Sequence, residues 1–208
     1  MTTKLLDPIE VVRAVEEQRA HLRRLGLPEQ WAEVGEVFAD QYIRITRDPV
    51  RFPSGRTGTY LRIDRPSNSS RGTIAVARCG NRQVFVNHYR YATGRVHLEY
   101  PRGFGEAGET PEQTVARELR EETGIEALSM ARLGMIYADT GLLNIPIEVY
   151  AVQGAASGPV AGAELDPDEG MGETIYLTSE EVRTRIAAGG ITDALTLAAY
   201  AMNEAADS

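Results

Sequence analysis

Cysteine is nearly missing from this chain. Cys79 is its sole thiol among 208 residues, which excludes an intrachain disulfide framework. A lone thiol with no recognisable partner reads as a small apolar residue ending a strand, not as a nucleophile. Histidine is scarce as well, and His21, His88 and His97 share no metal-ligand spacing. No stretch approaches the length of a membrane span, and no early apolar run resembles a signal peptide. The expectation is therefore a cytoplasmic protein with no membrane partner. Basic charge is in deficit, with 22 Lys and Arg against 30 Asp and Glu and no basic cluster. A net charge of −8 argues against a nucleic-acid partner. It does not argue against anionic small substrates, which metal ions and a few arginines bind locally.

What is present suffices for one substantial core with a small accessory layer, since 42% of the chain is hydrophobic. Residues 7–25 read as a helix, with Asp7 as cap, Pro8 opening it, Glu10 completing a capping box and Gly26 ending it. Its apolar stripe is Val11, Val12, Val15, Leu22 and Leu25. Strand-like runs follow at 41–46 and 57–63, around the turn Pro53-Ser54-Gly55. The turn-rich break from Pro66 to Ser70 marks the expected junction, with 1–66 as an N-terminal helix and small sheet and 67–208 as the main domain. That domain opens with a hairpin, 73–79 and 83–89 about Gly80-Asn81, then a loop and an acidic helix. Strands at 127–137 and 145–152, a loop at 154–172, a strand at 173–177 and two helices complete the pattern. Ser179 is expected to cap the helix at 180–188, and the last helix spans 193–203. Mixed strands with helices on both sides predict an α/β/α sandwich with a mixed sheet, plus an N-terminal helix and small antiparallel sheet.

The segment from Gly103 to Ile125, GFGEAGETPEQTVARELREETGI, carries the chemistry. Thr110, Pro111 and Gln113 write a helix start, and Gly124 a left-handed stop. Glu118, Glu121 and Glu122 fall at i, i+3 and i+4, which puts three carboxylates on one helical face. Like charges so placed repel, and they crowd the helix end that disfavours anions. A divalent cation resolves the conflict, and hard oxygen donors without Cys or His point to Mg²⁺ or Mn²⁺. The competing structural reading, a solvated acidic helix, explains charge but not the glycines, the Arg-Glu pair and the spacing together.

Gly103, Glu109, Arg117, Glu118, Leu119, Glu121, Glu122, Gly124 and Ile125 fit every defined position of the Nudix box, G-x5-E-x7-R-E-U-x-E-E-x-G-U with U aliphatic. The chain thus resembles the Nudix hydrolases. Residues from about Gln41 to Ala201 look like the ADP-ribose pyrophosphatase branch, through 42–50, 86–94, 99–103 and 190–197. One departure is Pro101-Arg102-Gly103, where that branch commonly has Pro-Ala-Gly. The Arg102 side chain is thereby expected either to meet a phosphate or to point into solvent.

The resemblance implies hydrolysis of the diphosphate bond in a nucleoside diphosphate linked to another moiety, such as ADP-ribose or an ADP-sugar. It implies that Glu118, Glu122 and the Arg102 carbonyl ligate metal, with Glu121 beside them and Glu173 as a further ligand. Arg117 orients a carboxylate, and Glu109 holds the turn with Gly103 and Gly124. In the resembled branch the catalytic base lies on a late loop, which implies Glu169 or Glu173 here, with a box glutamate such as Glu121 as the alternative. Trp31 and Tyr42 are candidates to stack on a base, and Arg44, Arg90 and Arg102 to meet phosphates. Trp31 has an alternative use as an anchor for the N-terminal helix. A homodimer paired through the N-terminal region is also expected. Two other readings remain open at this level: a ligand-sensing module that binds without cutting, and an isomerase of isoprenoid diphosphates, which needs a reactive Cys near the site.

Overall fold

The computed structural model describes residues 4–66, 71–155 and 170–206. Two compact units emerge, 1–67 with 139–145, and 68–138 with 146–208. In the first, α1 (Pro8–Arg24) starts where the Asp7 carboxylate accepts the amides of Ile9 and Glu10 at 3.0 and 2.9 Å. Gly26, at φ 68°, follows its end. The Glu10 carboxylate does not close a capping box, because it pairs with Arg51 instead. The buried stripe also differs from expectation. Ala14 and Leu22 are buried, whereas Val12 and Leu25 are exposed. Four strands, β1 (Lys4–Leu5), β2 (Gly35–Ala39), β3 (Arg44–Arg51) and β4 (Thr57–Asp64), form an antiparallel sheet around β3. Asp139–Ile145 joins this unit, where Tyr60 donates its hydroxyl to the Gly141 carbonyl at 2.6 Å.

The second unit holds a seven-stranded mixed sheet. Its central path is β11 (Met171–Thr178), β6 (Arg82–Arg90), β5 (Gly72–Cys79), β10 (Pro146–Gly154) and β9 (Ala127–Tyr137). β5 and β10 run parallel and the other pairs antiparallel. β5 and β6 pair only beside their turn, at Arg78 with Gln83 and Cys79 with Arg82. Beyond that point β6 takes β7 (Arg95–Glu99) and β5 takes β8 (Arg102–Phe104). These two strands, β7 and β8, stand where the sequence predicts only a loop between the hairpin and the acidic helix. Runs as short as RVHLE and RGF show no alternation long enough to betray a strand.

The acidic helix, α2 (Pro111–Thr123), has a complete Thr110–Gln113 capping box and ends at Gly124 with φ 71°. Its Val115 and Leu119 pack on Ala75, Ala77, Tyr150 and Val152, so α2 covers one sheet face. Side chains alternate along β5, and Ile74 and Val76 are buried on the opposite face. There α4 (Ala194–Ala206) packs against β5 and β9, completing the α/β/α sandwich. α3 (Ser179–Ala187) follows β11, and its cap is Thr178 rather than Ser179. The Thr178 hydroxyl accepts the Glu181 amide at 3.2 Å while the Glu181 carboxylate accepts the Thr178 amide at 2.8 Å. The box therefore starts one residue earlier than the serine suggested. No helix among the described residues is long and apolar enough to cross a membrane.

Candidate active site

The site grows from the way α2 lies over β8. Arg102, Gly103 and Phe104 pair with Ile74, Thr73 and Gly72 of β5. Paired residues point to the same face, so Thr73 and Gly103 face α2 while Arg102 faces α4. A Cβ on Gly103 would coincide with the Glu118 carboxyl group. Glycine at this position is thus a requirement of space, because the carboxylate lies directly on the strand. Four residues on, Glu122 is 6% exposed and accepts the Arg102 amide at 3.1 Å. Two carboxylates from successive turns thereby converge on one short stretch of backbone.

Arg117 organises the other side. Its Nε and Nη2 donate to the two Glu109 oxygens at 2.9 and 3.0 Å. Nη1 donates to Glu118 at 3.0 Å and to Glu121 at 2.9 Å, and Nη2 also to the Phe104 carbonyl at 3.0 Å. A guanidinium has five N–H groups, and these bonds use all of them. Glu109 also accepts the Glu106 amide at 2.8 Å and the Thr114 hydroxyl at 3.1 Å. The Arg117 guanidinium first, then the Glu106 amide, holds the Glu109 carboxyl down to about 2. The Glu109 carboxylate in turn raises Arg117 above its ordinary value. The turn, the helix and two carboxylates are tied through one cation, which also relieves part of the repulsion within the acidic face.

Beneath the helix, the Thr73 hydroxyl is buried in register with Gly103 and makes no hydrogen bond among the described residues. Beside it Glu148, on β10 in register with Thr73, is buried. It accepts Arg71 and Arg132, each at 2.7 Å. At the end of β7, in register with Val86, Glu99 is 1% exposed and carries two cations, Arg90 at 2.6 Å and Arg102 at 2.8 Å. Arg102 also reaches Asp193 at 3.1 Å. Its side chain is only 16% exposed, so of the two alternatives expected for Arg102, a phosphate contact or solvent, it does not turn into solvent.

The remaining candidates are more scattered. Glu173 is an exposed residue of β11, which starts two residues before the strand expected at 173–177. It stands at the bulge between Met171 and Thr174, on a strand that packs against α2. Glu169 lies outside the described residues, as does most of the expected loop at 154–172. Trp31, in a 3-10 turn at Glu29–Ala32, is 48% exposed, and Tyr42 is 62% exposed. Arg44 pairs with Glu36 at 3.4 Å. Trp31, Tyr42 and Arg44 belong to the first unit, the box and Arg90 to the second. Cys79 ends β5, and burial pushes its thiol up.

The donor set suits a hard divalent cation. Glu118 and Glu122 offer carboxylate oxygens against the β8 backbone, with the unpartnered Thr73 hydroxyl beside them and no sulfur or imidazole. Among the described residues, no three His, Cys, Asp or Glu side chains stand preassembled as a metal-binding group. Glu121 pairs with Arg117 through the same Nη1 that holds Glu118.

A family model for the NUDIX domain matches residues 69–186. The chain belongs to the NUDIX family. It is 31% identical over 173 residues to the methanol dehydrogenase activator of Bacillus methanolicus, covering 82% of this chain and 90% of the relative. It is 28% identical over 179 residues to the ADP-ribose pyrophosphatase of Bacillus subtilis, covering 85% and 92%. A crystal structure of an ADP compounds hydrolase superposes with TM-score 0.69 at 17% identity, covering 83% of this chain and 90% of that one. This Nudix hydrolase thus sits in the ADP-ribose pyrophosphatase-like branch. In this Nudix chain, sequence reasoning missed Glu99, Asp193, Thr73 and Glu148. Each lies far along the chain from the box or on a strand too short to recognise, and only pairing across the sheet brings them near it. The one local signal was Asp193, which precedes the apolar run ALTLAAY as a helix cap would.

Proposed function

We propose that this protein hydrolyses the diphosphate bond of a nucleoside diphosphate linked to another moiety, ADP-ribose or a related ADP-sugar, releasing AMP and a sugar phosphate. The observation that carries this reading is the convergence of Glu118 and Glu122 on the β8 backbone at Arg102 and Gly103. Glu118, Glu122 and the Arg102 carbonyl would hold Mg²⁺ or Mn²⁺, with Glu121 and Glu173 as further acidic donors. When bound, such an ion neutralises the phosphate oxygens and acidifies the attacking water. Arg117 fixes the rotamer of Glu118 so that its carboxylate is already in place, and Glu109 keeps Arg117 there. The proton of the attacking water passes to a carboxylate of the late segment, Glu173 or Glu169. Arg44, Arg90 and Arg102 are proposed to meet substrate phosphates, and Trp31 and Tyr42 to stack on the base.

Chains pair through the first unit, which exposes Ile9, Val12, Trp31, Val37, Phe38 and Tyr42. Light scattering tests this pairing, with a homodimer expected and an active monomer counting against it. The function is tested by incubating the protein with ADP-ribose, ADP-sugars and dinucleotides, with Mg²⁺ and with chelator. AMP release from ADP-ribose that needs the cation is expected. Binding of ADP-ribose without cleavage would instead identify a sensing module.

A further inference from the structure

Arg102 has two opposite duties. Its amide faces α2 and donates to Glu122 at 3.1 Å. Its guanidinium turns toward α4, where it pairs with Asp193 at 3.1 Å, and it also pairs with Glu99 at 2.8 Å. β8 is three residues long and pairs with β5 alone, so its ladder gives it little hold. The brace on the α4 side therefore carries weight in fixing where the Arg102 amide stands.

That brace is balanced and interlocked. Arg90 and Arg102 bring two positive charges, and Glu99 and Asp193 two negative ones. The Asp193 carboxylate also accepts the Thr196 amide at 2.8 Å, which starts α4. The Thr196 hydroxyl accepts the Tyr100 amide at 3.2 Å. The first turn of α4 thus grips the chain on both sides of Pro101, through Tyr100 and Arg102.

We propose that Asp193 is a positioning residue, which acts through the Arg102 guanidinium to set the β8 backbone, and with it Glu122, for divalent-cation binding. This inference rests on the metal site proposed above. It follows that cation affinity depends on a carboxylate on the far side of the sheet. It follows also that the Arg102 side chain helps hold β8 in place through its pairs with Glu99 and Asp193.

Asp193→Asn separates this role from simple helix capping. Asparagine caps a helix as well as aspartate does. Its single acceptor oxygen, in the place of Oδ2, still serves the Thr196 amide, while the negative charge is lost and an NH₂ group replaces the oxygen that faces Arg102 Nη2. Asp193→Ala removes both functions and serves as the comparison. Mn²⁺ binding is measured by calorimetry on each full-length protein without substrate, alongside Tm in chelator. The expected result is that Asp193→Asn keeps its Tm within a few degrees while its Mn²⁺ Kd rises by about tenfold, the usual effect of losing a residue that supports a metal ligand. Asp193→Ala is expected to show the same loss of affinity with a lower Tm. Wild-type Mn²⁺ affinity in Asp193→Asn overturns the inference, whether or not Asp193→Ala is impaired. Failure of the wild-type protein itself to bind Mn²⁺ overturns the metal site, and this inference with it.

Discussion

Gly103→Ala probes the packing of the site with a single methyl group. The added Cβ would occupy the space held by the Glu118 carboxyl. Gly103 is not among the positive-φ glycines, so alanine suits the backbone there. The obstacle is the far end of a flexible side chain, which can swing aside, so the steric cost should sit at the low end of the roughly 1–3 kcal/mol typical of overpacking. A gain of about 0.4–1 kcal/mol from the stiffer unfolded chain offsets part of it. The fold should survive with Tm lowered by only a few degrees. The carboxylate, however, must retreat by roughly 1.3–1.9 Å to reach ordinary van der Waals separation. Displacements of that size in a catalytic group cost on the order of a hundredfold in rate. Steady-state kcat for ADP-ribose hydrolysis, a Mg²⁺ titration and a thermal melt together report the outcome. A folded Gly103→Ala protein with wild-type kcat and Mg²⁺ dependence would refute the role given to Glu118 against the strand.

Three other outcomes are expected. Glu173→Gln should lower kcat far more than it raises KM, and more than Glu169→Gln does; unchanged kcat in both moves the base to the box glutamates. The Glu109 carboxyl is depressed to about 2, so its contribution to stability is complete above its ordinary value of 4.5 and is lost as pH falls toward 2. Glu109→Gln should therefore lower the urea midpoint at neutral pH, with the gap to wild type closing through that acid window; a gap independent of pH contradicts the Arg117 clamp. Leu119→Ala, at a fully buried α2 position, should cost about 2–5 kcal/mol in urea unfolding, and a cost under about 1 kcal/mol would mean α2 does not anchor the core.

Local chemistry explains what could be read ahead of the structure. The caps at Asp7 and Thr110 and the stop at Gly124 depend on neighbours a few residues away, so they stand in the letters themselves. The box spacing likewise puts Glu118 and Glu122 on one face without reference to the rest of the chain. Long-range pairing was not legible. β8 exists because β5 and β6 separate beyond their turn, a choice made by the sheet and not by the tripeptide RGF. Arg102 looked available for substrate or solvent because its partners are Glu99, on another strand, and Asp193, far along the chain. The stripe of α1 was misjudged at Val12 and Leu25, which periodicity alone cannot tell from a buried face.

The central claim is that a divalent cation held by the box carboxylates drives diphosphate cleavage. Glu122→Gln tests it most directly, since glutamine keeps an oxygen for the Arg102 amide but removes the charge. AMP release from ADP-ribose is followed over a Mg²⁺ titration for wild type and variant, with circular dichroism and melting checked in parallel. The account predicts that wild type is active only with the cation, and that folded Glu122→Gln loses kcat by about two orders of magnitude or more. Near-wild-type turnover by a folded Glu122→Gln protein, or full wild-type activity in chelator, would contradict it.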